Sequence, residues 1–213
     1  MNSQFKFNDT HVNFEKKMNI FKNLRFSVPN IKEICFEVNP YAYIGSFELF
    51  LCNYLFNIKE ELIKPIYFFI SNEINSKGYF IADSKGLYMH ISDKNIKKEV
   101  DDYSNCLTYI DELFLTTLHE ICHMKQYLLC MQENCITDKN IDEFNGSYFN
   151  PARNKNFLSY MNNTYKEEDF IIYADDEFEA VSFSYEKLPI IKGMYKWYFS
   201  YPTFCILERK NND

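Results

Sequence analysis

The sequence predicts an α+β fold in which helices pack on a small sheet. Short apolar runs, rich in aromatic and β-branched residues, predict strands at residues 66–70, 79–83 and 87–92. Apolar side chains at helical spacing predict a helix over residues 107–131, and a second helical pattern covers residues 176–188. With 213 residues, the chain most simply forms one domain.

The N-terminal region, residues 1–65, is predicted to add a strand and a helix to a core formed by residues 66–213. Residues 31–38 alternate loosely between apolar and polar side chains, which suits a strand. Residues 47–63 are rich in helix formers, and Ser46 is a plausible N-cap in front of them. We therefore expect the N-terminal region to pack on the core within the same domain.

The helix predicted at residues 107–131 has an apolar and a polar face. The apolar stripe, which we expect to face the core, consists of Ile110, Phe114, Leu118, Ile121 and Leu128. The polar residues that follow, 132–165, predict a long loop. Asp175 or Asp176 is then expected to cap the next helix, and Pro189 is expected to end it.

Composition excludes several classes of function. A net charge of −7 argues against a protein that binds nucleic acid through bulk charge. The five glycines lie too far apart to form a phosphate-binding loop. Seven cysteines without a Cys-x-x-Cys pair, and a start that lacks an apolar signal segment, predict free thiols and a cytoplasmic protein. No apolar stretch is long enough to predict a membrane partner, and nothing in the sequence indicates an oligomeric state.

One motif carries chemistry, at residues 119–123, and reads His119-Glu120-Ile121-Cys122-His123. At about 100° per residue, His119 and His123 lie one turn apart on the same helix face. Two imidazoles at this spacing can bind one Zn²⁺, and Glu120 is then placed to act as a general base on water. The alternative is a surface pair of histidines that stands beside a glutamate by chance, which the helical context disfavours.

A catalytic zinc needs a third protein ligand and one open coordination position. No histidine follows His123, and Gln126 and Leu129 stand where an extended motif would need glycine and histidine. If Cys106 lies on the same helix, it faces about 220° away from His119. A carboxylate therefore remains as the third ligand.

The carboxylate with the best context lies in residues 175–180, Asp-Asp-Glu-Phe-Glu-Ala. Here the sequence resembles the gluzincins, in which a glutamate in a Glu-x-x-Ala frame on a second helix binds the zinc. Glu177 with Ala180 fits that frame, whereas Val181 stands where those enzymes carry a polar residue. The resemblance implies Glu177 as the third ligand, and Glu179 remains the alternative.

The chain resembles more specifically the small phage- and virus-encoded zinc metallopeptidases that are grouped with SprT-like minimal zincins. The matching positions are His119, Glu120, His123, Gln126, Tyr127, Gly146, Tyr173, Glu177, Glu179 and Ala180. The resemblance covers residues 66–188 and implies a zincin-like sheet, an active helix and a second helix that carries a glutamate ligand. It also implies that the chain hydrolyses peptide bonds in a peptide or protein substrate.

The same resemblance suggests further roles around the metal. Glu120 is expected to serve as the general base, and Tyr173 to donate a hydrogen bond to the oxyanion, although Tyr173 has packing as an alternative role. We expect strand 87–92 to be the edge strand that binds an extended peptide by strand addition. A non-catalytic zinc-binding protein and a hydrolase of non-peptide amides remain alternatives. Glu120 argues against the former, because binding of the metal does not require it.

Overall fold

The computed structural model describes residues 24–26, 38–70, 74–102, 107–149 and 167–200. Within these ranges the chain forms a mixed α+β fold, as predicted. The strands are β1 (Leu24–Phe26), β2 (Ile66–Ile70), β3 (Gly78–Ala82) and β4 (Leu87–Ile91). The helices are α1 (Pro40–Tyr54), α2 (Asp93–Asp102), α3 (Tyr109–Glu133), α4 (Ile141–Tyr148) and α5 (Glu167–Ser200).

The sheet has the strand order β1-β2-β4-β3. β1 pairs parallel with β2, β2 pairs parallel with β4, and β3 pairs antiparallel with β4. All three strands predicted between residues 66 and 92 are present, whereas β1 was not predicted and residues 31–37 lie outside the described part of the chain.

The prediction that strand 87–92 forms the edge of the sheet is wrong. β4 lies between β2 and β3, because its second side pairs in parallel with β2. Its inward side chains Leu87, Met89 and Ile91 are fully buried, as is typical of an interior strand. The described edge next to β4 is therefore β3.

The two faces of the sheet differ in what they contact. The inner face carries buried apolar side chains, and ring pairs such as Phe47 with Phe68 and Phe80 with Tyr127 join it to the helices. The outer face carries half-buried rings at alternate positions, as the period of a strand requires. These outer rings stack across the strands, with 4.5 Å between the centroids of Tyr79 and His90.

Helix α1 begins earlier than predicted. Asn39 precedes it, and its side-chain oxygen accepts a hydrogen bond from the backbone N–H of Ala42 at 3.1 Å, which satisfies the first turn. Ser46, predicted as the cap, lies inside the helix, where its hydroxyl donates to the carbonyl of Tyr43. The helix ends at Tyr54, before the predicted end, and a short 3-10 turn at Glu60–Leu62 follows.

Helix α3 forms where the sequence predicts it. Thr108 is its N-cap and accepts a hydrogen bond from the backbone N–H of Asp111 at 3.2 Å. In the predicted apolar stripe, Ile110 is partly buried. The other four residues are fully buried: Phe114, Leu118, Ile121 and Leu128. The stripe packs under the sheet and leaves the polar face of α3 for the motif.

Helix α5 is much longer than predicted. It spans Glu167–Ser200 instead of residues 176–188, so neither of the proposed caps nor Pro189 bounds it. A proline inside a helix removes one backbone hydrogen bond and costs about 3 kcal/mol. Other contacts must offset that cost for the helix to continue.

These contacts lie on both sides of Pro189. Phe183 is buried before it and Ile191 is fully buried after it. Beyond the proline, the ammonium of Lys192 forms an ion pair with Asp111 in the first turn of α3. Pro189 itself is exposed, so its ring disturbs no core packing. Packing against the rest of the domain therefore overrides the local signal to stop.

The predicted loop at residues 132–165 contains helix α4, so the prediction is wrong for this part. Phe144 and Tyr148 from α4 pack on Tyr127, with ring centroids 5.6 and 5.1 Å away. The hydroxyl of Tyr127 donates to the side-chain oxygen of Asn145 at 2.7 Å. Residues 150–166 lie outside the described part of the chain.

Among the described residues, Cys52, Cys122, Cys130 and Cys135 are free thiols, as predicted. The other three cysteines lie outside the described residues. In the described ranges, none of the helices carries an apolar stretch that could cross a bilayer.

Candidate metal centre

The two motif histidines project from α3 one turn apart. Their Nε2 atoms lie 3.0 Å from each other, and each side chain retains about a fifth of its exposure, at 23% for His119 and 20% for His123. Neighbouring Leu118 and Ile121 are fully buried in the core. The helical period therefore separates the imidazoles from the apolar stripe, as the sequence predicts.

The carboxylate of Glu177 reaches both imidazoles from α5. Its Oε2 lies 3.2 Å from Nε2 of His119, and its Oε1 lies 3.2 Å from Nε2 of His123. One ligand atom from each of the three residues lies within 4.8 Å of the others. Two helices that are far apart in sequence thus bring three potential ligands together.

The spacing of these atoms fits a zinc ion. A tetrahedral zinc with ligands at about 2.0–2.1 Å places those ligands about 3.3 Å from one another. The observed separations of 3.0 and 3.2 Å are close to that value. Imidazole nitrogen and carboxylate oxygen are also donors that zinc accepts. The group of His119, His123 and Glu177 could therefore hold a metal ion.

Electrostatic coupling joins the three side chains. Burial by itself lowers the pKa of His123, but the hydrogen bond to Glu177 and the charge of Glu120 raise it to about 9. Burial by itself raises the pKa of Glu177, but the contacts with both imidazoles hold it well below its ordinary value. A carboxylate that stays ionised beside two imidazoles is what a cation site requires.

Glu120 lies beneath this group and is only 6% exposed. Burial raises the pKa of Glu120, while the charges of His123 and His119 oppose the rise. The negative charge of Glu177 raises it further. A carboxyl group with a raised pKa is suited to accept a proton and to release it again.

Gly78, the first residue of β3, lies directly against Glu120. A Cβ atom added to Gly78 would lie 2.9 Å from Oε1 of Glu120 and 2.9 Å from Cγ2 of Thr116. Any side chain at this position would displace its neighbours on α3. Glycine therefore allows the edge strand to pass close to the motif, although from sequence Gly78 indicates only a turn.

An ion-pair cluster fixes the start of β3. The ammonium of Lys77 lies 2.6 Å from Oε1 of Glu112 on α3 and 2.8 Å from Oε1 of Glu99 on α2. Glu112 is almost fully buried, whereas the other two side chains are partly exposed. The cluster holds the edge strand against the helix that carries the motif.

Glu179, the alternative third ligand, does not approach the imidazoles as Glu177 does. Its side chain is exposed, and its Oε2 accepts a hydrogen bond from Nε2 of Gln126 at 2.9 Å. Val181, two residues later, is 44% exposed. Of the two candidate glutamates, the structure thus brings Glu177 to the histidines.

Gln126 is the neighbour of the site that sequence reasoning left without a role. Its Oε1 lies 2.8 Å from Nδ1 of His123, and its Nε2 also donates to the backbone carbonyl of Asp176 at 3.1 Å. The signal for it was its position three residues after His123, on the same helix face. Its partners on α5 could not be identified without the fold.

The predicted role of Tyr173 is untested. Tyr173 lies one turn before Glu177 on α5, but its side chain is outside the part of the chain that the structure describes. Its assignment as a donor to the oxyanion therefore stays a prediction.

Cys122, which lies inside the motif, does not belong to the metal group. It is almost fully buried, and it contacts Tyr54 of α1. Burial raises the pKa of the Cys122 thiol to about 12, so this group stays protonated near neutral pH.

The site thus combines two imidazoles, an ionised carboxylate and an adjacent buried carboxyl group. The first three could hold a metal ion whose identity the side chains alone do not fix. Comparison with protein-family models, with curated proteins and with solved structures finds no match for this chain.

Proposed function

We propose that this protein is a zinc-dependent metallopeptidase. The observation that carries the proposal is the convergence of His119, His123 and Glu177 within 4.8 Å, with Glu120 buried beside them. A zinc ion, when bound, would supply Lewis-acid activation of water and of a carbonyl group. The proposal follows the resemblance to gluzincin-type and SprT-like minimal zincins, of which this geometry is typical.

The number of ligands favours catalysis over a structural metal. Structural zinc sites are closed by four protein ligands, whereas catalytic sites use three and leave one position open. In the described ranges, the group contains three potential ligands, from two elements. An open position beside Glu120 is the arrangement that hydrolysis requires.

The protein side chains then have separate tasks. His119, His123 and Glu177 hold the cation. Glu120 accepts a proton from the attacking water and passes it to the departing amine, which its raised pKa favours. Because the carboxyl group of Glu120 is not one of the three potential ligands, it remains available for proton transfer.

The position of β3 supports a peptide substrate. β3 is the last strand of the described sheet, and its first residue touches Glu120. An extended peptide can pair with a free edge strand through main-chain hydrogen bonds. Gly78 brings the backbone of this edge directly against the general base, so a peptide bound at this edge would run past the site. We assign to β3 the role that the sequence suggested for strand 87–92.

Two measurements test the proposal together. Metal analysis of the purified protein should find one zinc per chain, and a peptide library should be cleaved by the wild type but not by Glu120→Gln. A wild type that carries no zinc would contradict the metal centre. A zinc-loaded wild type that cleaves no peptide would replace the peptidase with a hydrolase of another amide or with a non-catalytic binding protein.

A further inference from the structure

We propose that Gln126 is a positioning residue that orients His123 and anchors the third ligand to the same helix. The proposal rests on the metal centre of the proposed function and adds a residue that contacts no metal. Its basis is a bridge of hydrogen bonds from His123 through the Gln126 amide to Asp176 and Glu179.

The partners on α5 determine which way the amide points. Its Nε2 lies 3.1 Å from the backbone carbonyl of Asp176 and 2.9 Å from Oε2 of Glu179. A carbonyl and an ionised carboxylate can only accept hydrogen bonds. The NH₂ end of Gln126 must therefore face α5, because the oxygen end would meet two acceptors there.

This orientation sets the tautomer of His123. The oxygen of the Gln126 amide then faces Nδ1 of His123 at 2.8 Å and can only accept a hydrogen bond. Nδ1 must therefore carry a proton, so when a metal displaces the other ring proton, which faces Glu177, the lone pair stands on Nε2. Nε2 is the atom that faces Glu177 and His119. The bridge thus presents the correct nitrogen to a metal.

The same amide also fixes the element that carries the third ligand. Asp176 directly precedes Glu177, and Glu179 follows it by two residues. Hydrogen bonds to both sides of Glu177 hold this turn of α5 against α3. One side chain therefore sets the orientation of one ligand and the position of another, although the two lie 54 residues apart in sequence.

The decisive variant is Gln126→Met, which keeps the length of the side chain and removes both kinds of hydrogen bond. Loss of an outer-shell partner of a metal-binding histidine typically weakens metal affinity about 10–100-fold. We expect a loss of that size for zinc, measured by competition with a chromophoric chelator. Gln132→Met is the matched control, because Gln132 lies on the same helix but contacts the backbone of Lys59 away from the site.

Gln126→Glu separates the two roles. A glutamate retains an acceptor for Nδ1 of His123 but loses the donors to α5. In the zinc-loaded protein, the Nδ1 proton of His123 should exchange slowly by NMR in the wild type and in Gln126→Glu. It should exchange rapidly in Gln126→Met. If Gln126 had only a packing role, its replacement by methionine would not change the exchange rate of the Nδ1 proton.

Several outcomes would overturn the proposal. Unchanged zinc affinity in Gln126→Met would do so, as would a loss of equal size in Gln132→Met. An Nδ1 proton equally protected in Gln126→Met and in the wild type would show that Gln126 does not orient the ring. In each case the wild type still binds zinc and the proposed function survives. A wild type that binds no zinc overturns the metal centre itself, and this role with it.

Discussion

The two helices that meet at the candidate metal centre differ in how their ligand-bearing turns are held in the domain. α3 lies under the sheet with most of its residues buried, and its ligands project from a backbone fixed by core packing. Near its own ligand, α5 presents exposed side chains: Phe178 is 60% exposed and Glu179 is also exposed. Polar contacts join α5 to α3 in two places, through Gln126 of α3 near the ligand and through the ion pair of Lys192 with Asp111 of α3 further along.

This difference suggests that the two sides of the site differ in rigidity. The position of α3 is set once the core forms, because its apolar stripe contributes the buried surface that stabilises the domain. Among the side chains of α5 that the structure describes, apolar packing begins only after the ligand, at Ala180 and Phe183, and the turn that carries Glu177 is also held by individual hydrogen bonds that each contribute about 0.5–1.5 kcal/mol. A metal that binds both helices would therefore strengthen the weaker of the two attachments.

The largest expected effect follows from removal of a ligand on either helix. His119→Ala acts on α3 and Glu177→Ala acts on α5, and both should abolish stoichiometric zinc. In the wild type, zinc at 100 times its dissociation constant should stabilise the fold by about 2.7 kcal/mol. Thermal unfolding with and without zinc should show this gain in the wild type, and it should show no gain in either variant. Full zinc content in His119→Ala would contradict the assigned centre.

The next effect concerns catalysis at constant zinc content. Glu120→Gln keeps the size of the side chain and removes the base, so zinc should remain bound. Peptide hydrolysis should fall about 10²–10⁴-fold, the contribution of a positioned base. The rate should be measured by single-turnover cleavage of a fluorogenic peptide. Normal activity in this variant would show that another group accepts the proton.

The contrast between the helices also explains how much could be predicted from the sequence. α3 and its motif were predictable, because the apolar period and the spacing of the two histidines are local signals. The extent of α5 was not, because it depends on contacts of Ile191 and Lys192 with distant residues. The edge of the sheet was not predictable for the same reason, since parallel pairing of β4 with β2 decides it.

In the site too, features set by local spacing could be predicted, and features set by distant contacts could not. Its histidines are fixed by spacing along one helix, which any reader of the sequence can measure. The choice between Glu177 and Glu179 depended on a resemblance, because two carboxylates two residues apart point in different directions from a helix. The role of Gly78 depends on its distance from Glu120, which no local pattern reports.

A third prediction concerns Pro189, which α5 tolerates. Alanine in a helix interior is about 3 kcal/mol more favourable than proline. Because Pro189 is exposed, Pro189→Ala should raise the free energy of unfolding by about 1–3 kcal/mol. Urea denaturation of the metal-free protein would measure it. Pro65→Ala, outside any helix, should instead lower stability by about 0.4–1 kcal/mol. A destabilised Pro189→Ala would show that the proline is needed for the path of α5.

The smallest expected effect concerns the ion pair that holds α5 beyond its proline. Burial by itself raises the pKa of Asp111, but hydrogen bonds from Lys192 and Thr108 hold it below its ordinary value. The folded state therefore gains stability from this group above the ordinary pKa, and loses it as the pH falls through the lowered value. Because Lys192 is 39% exposed, the pair should contribute only about 0.5–1 kcal/mol.

Lys192→Met removes that contribution, so it should destabilise the metal-free protein near neutral pH. The difference from the wild type should shrink in acid, as the pH falls through the lowered pKa of Asp111 and this group becomes protonated in both proteins. Urea denaturation at the two pH values gives the comparison, and the exposed Lys139→Met serves as the control. A deficit that stays constant down to acid pH would mean that Lys192 holds α5 through its aliphatic chain. In that case, both helices would be held mainly by apolar packing, and the contrast between them would be confined to the turn around Glu177.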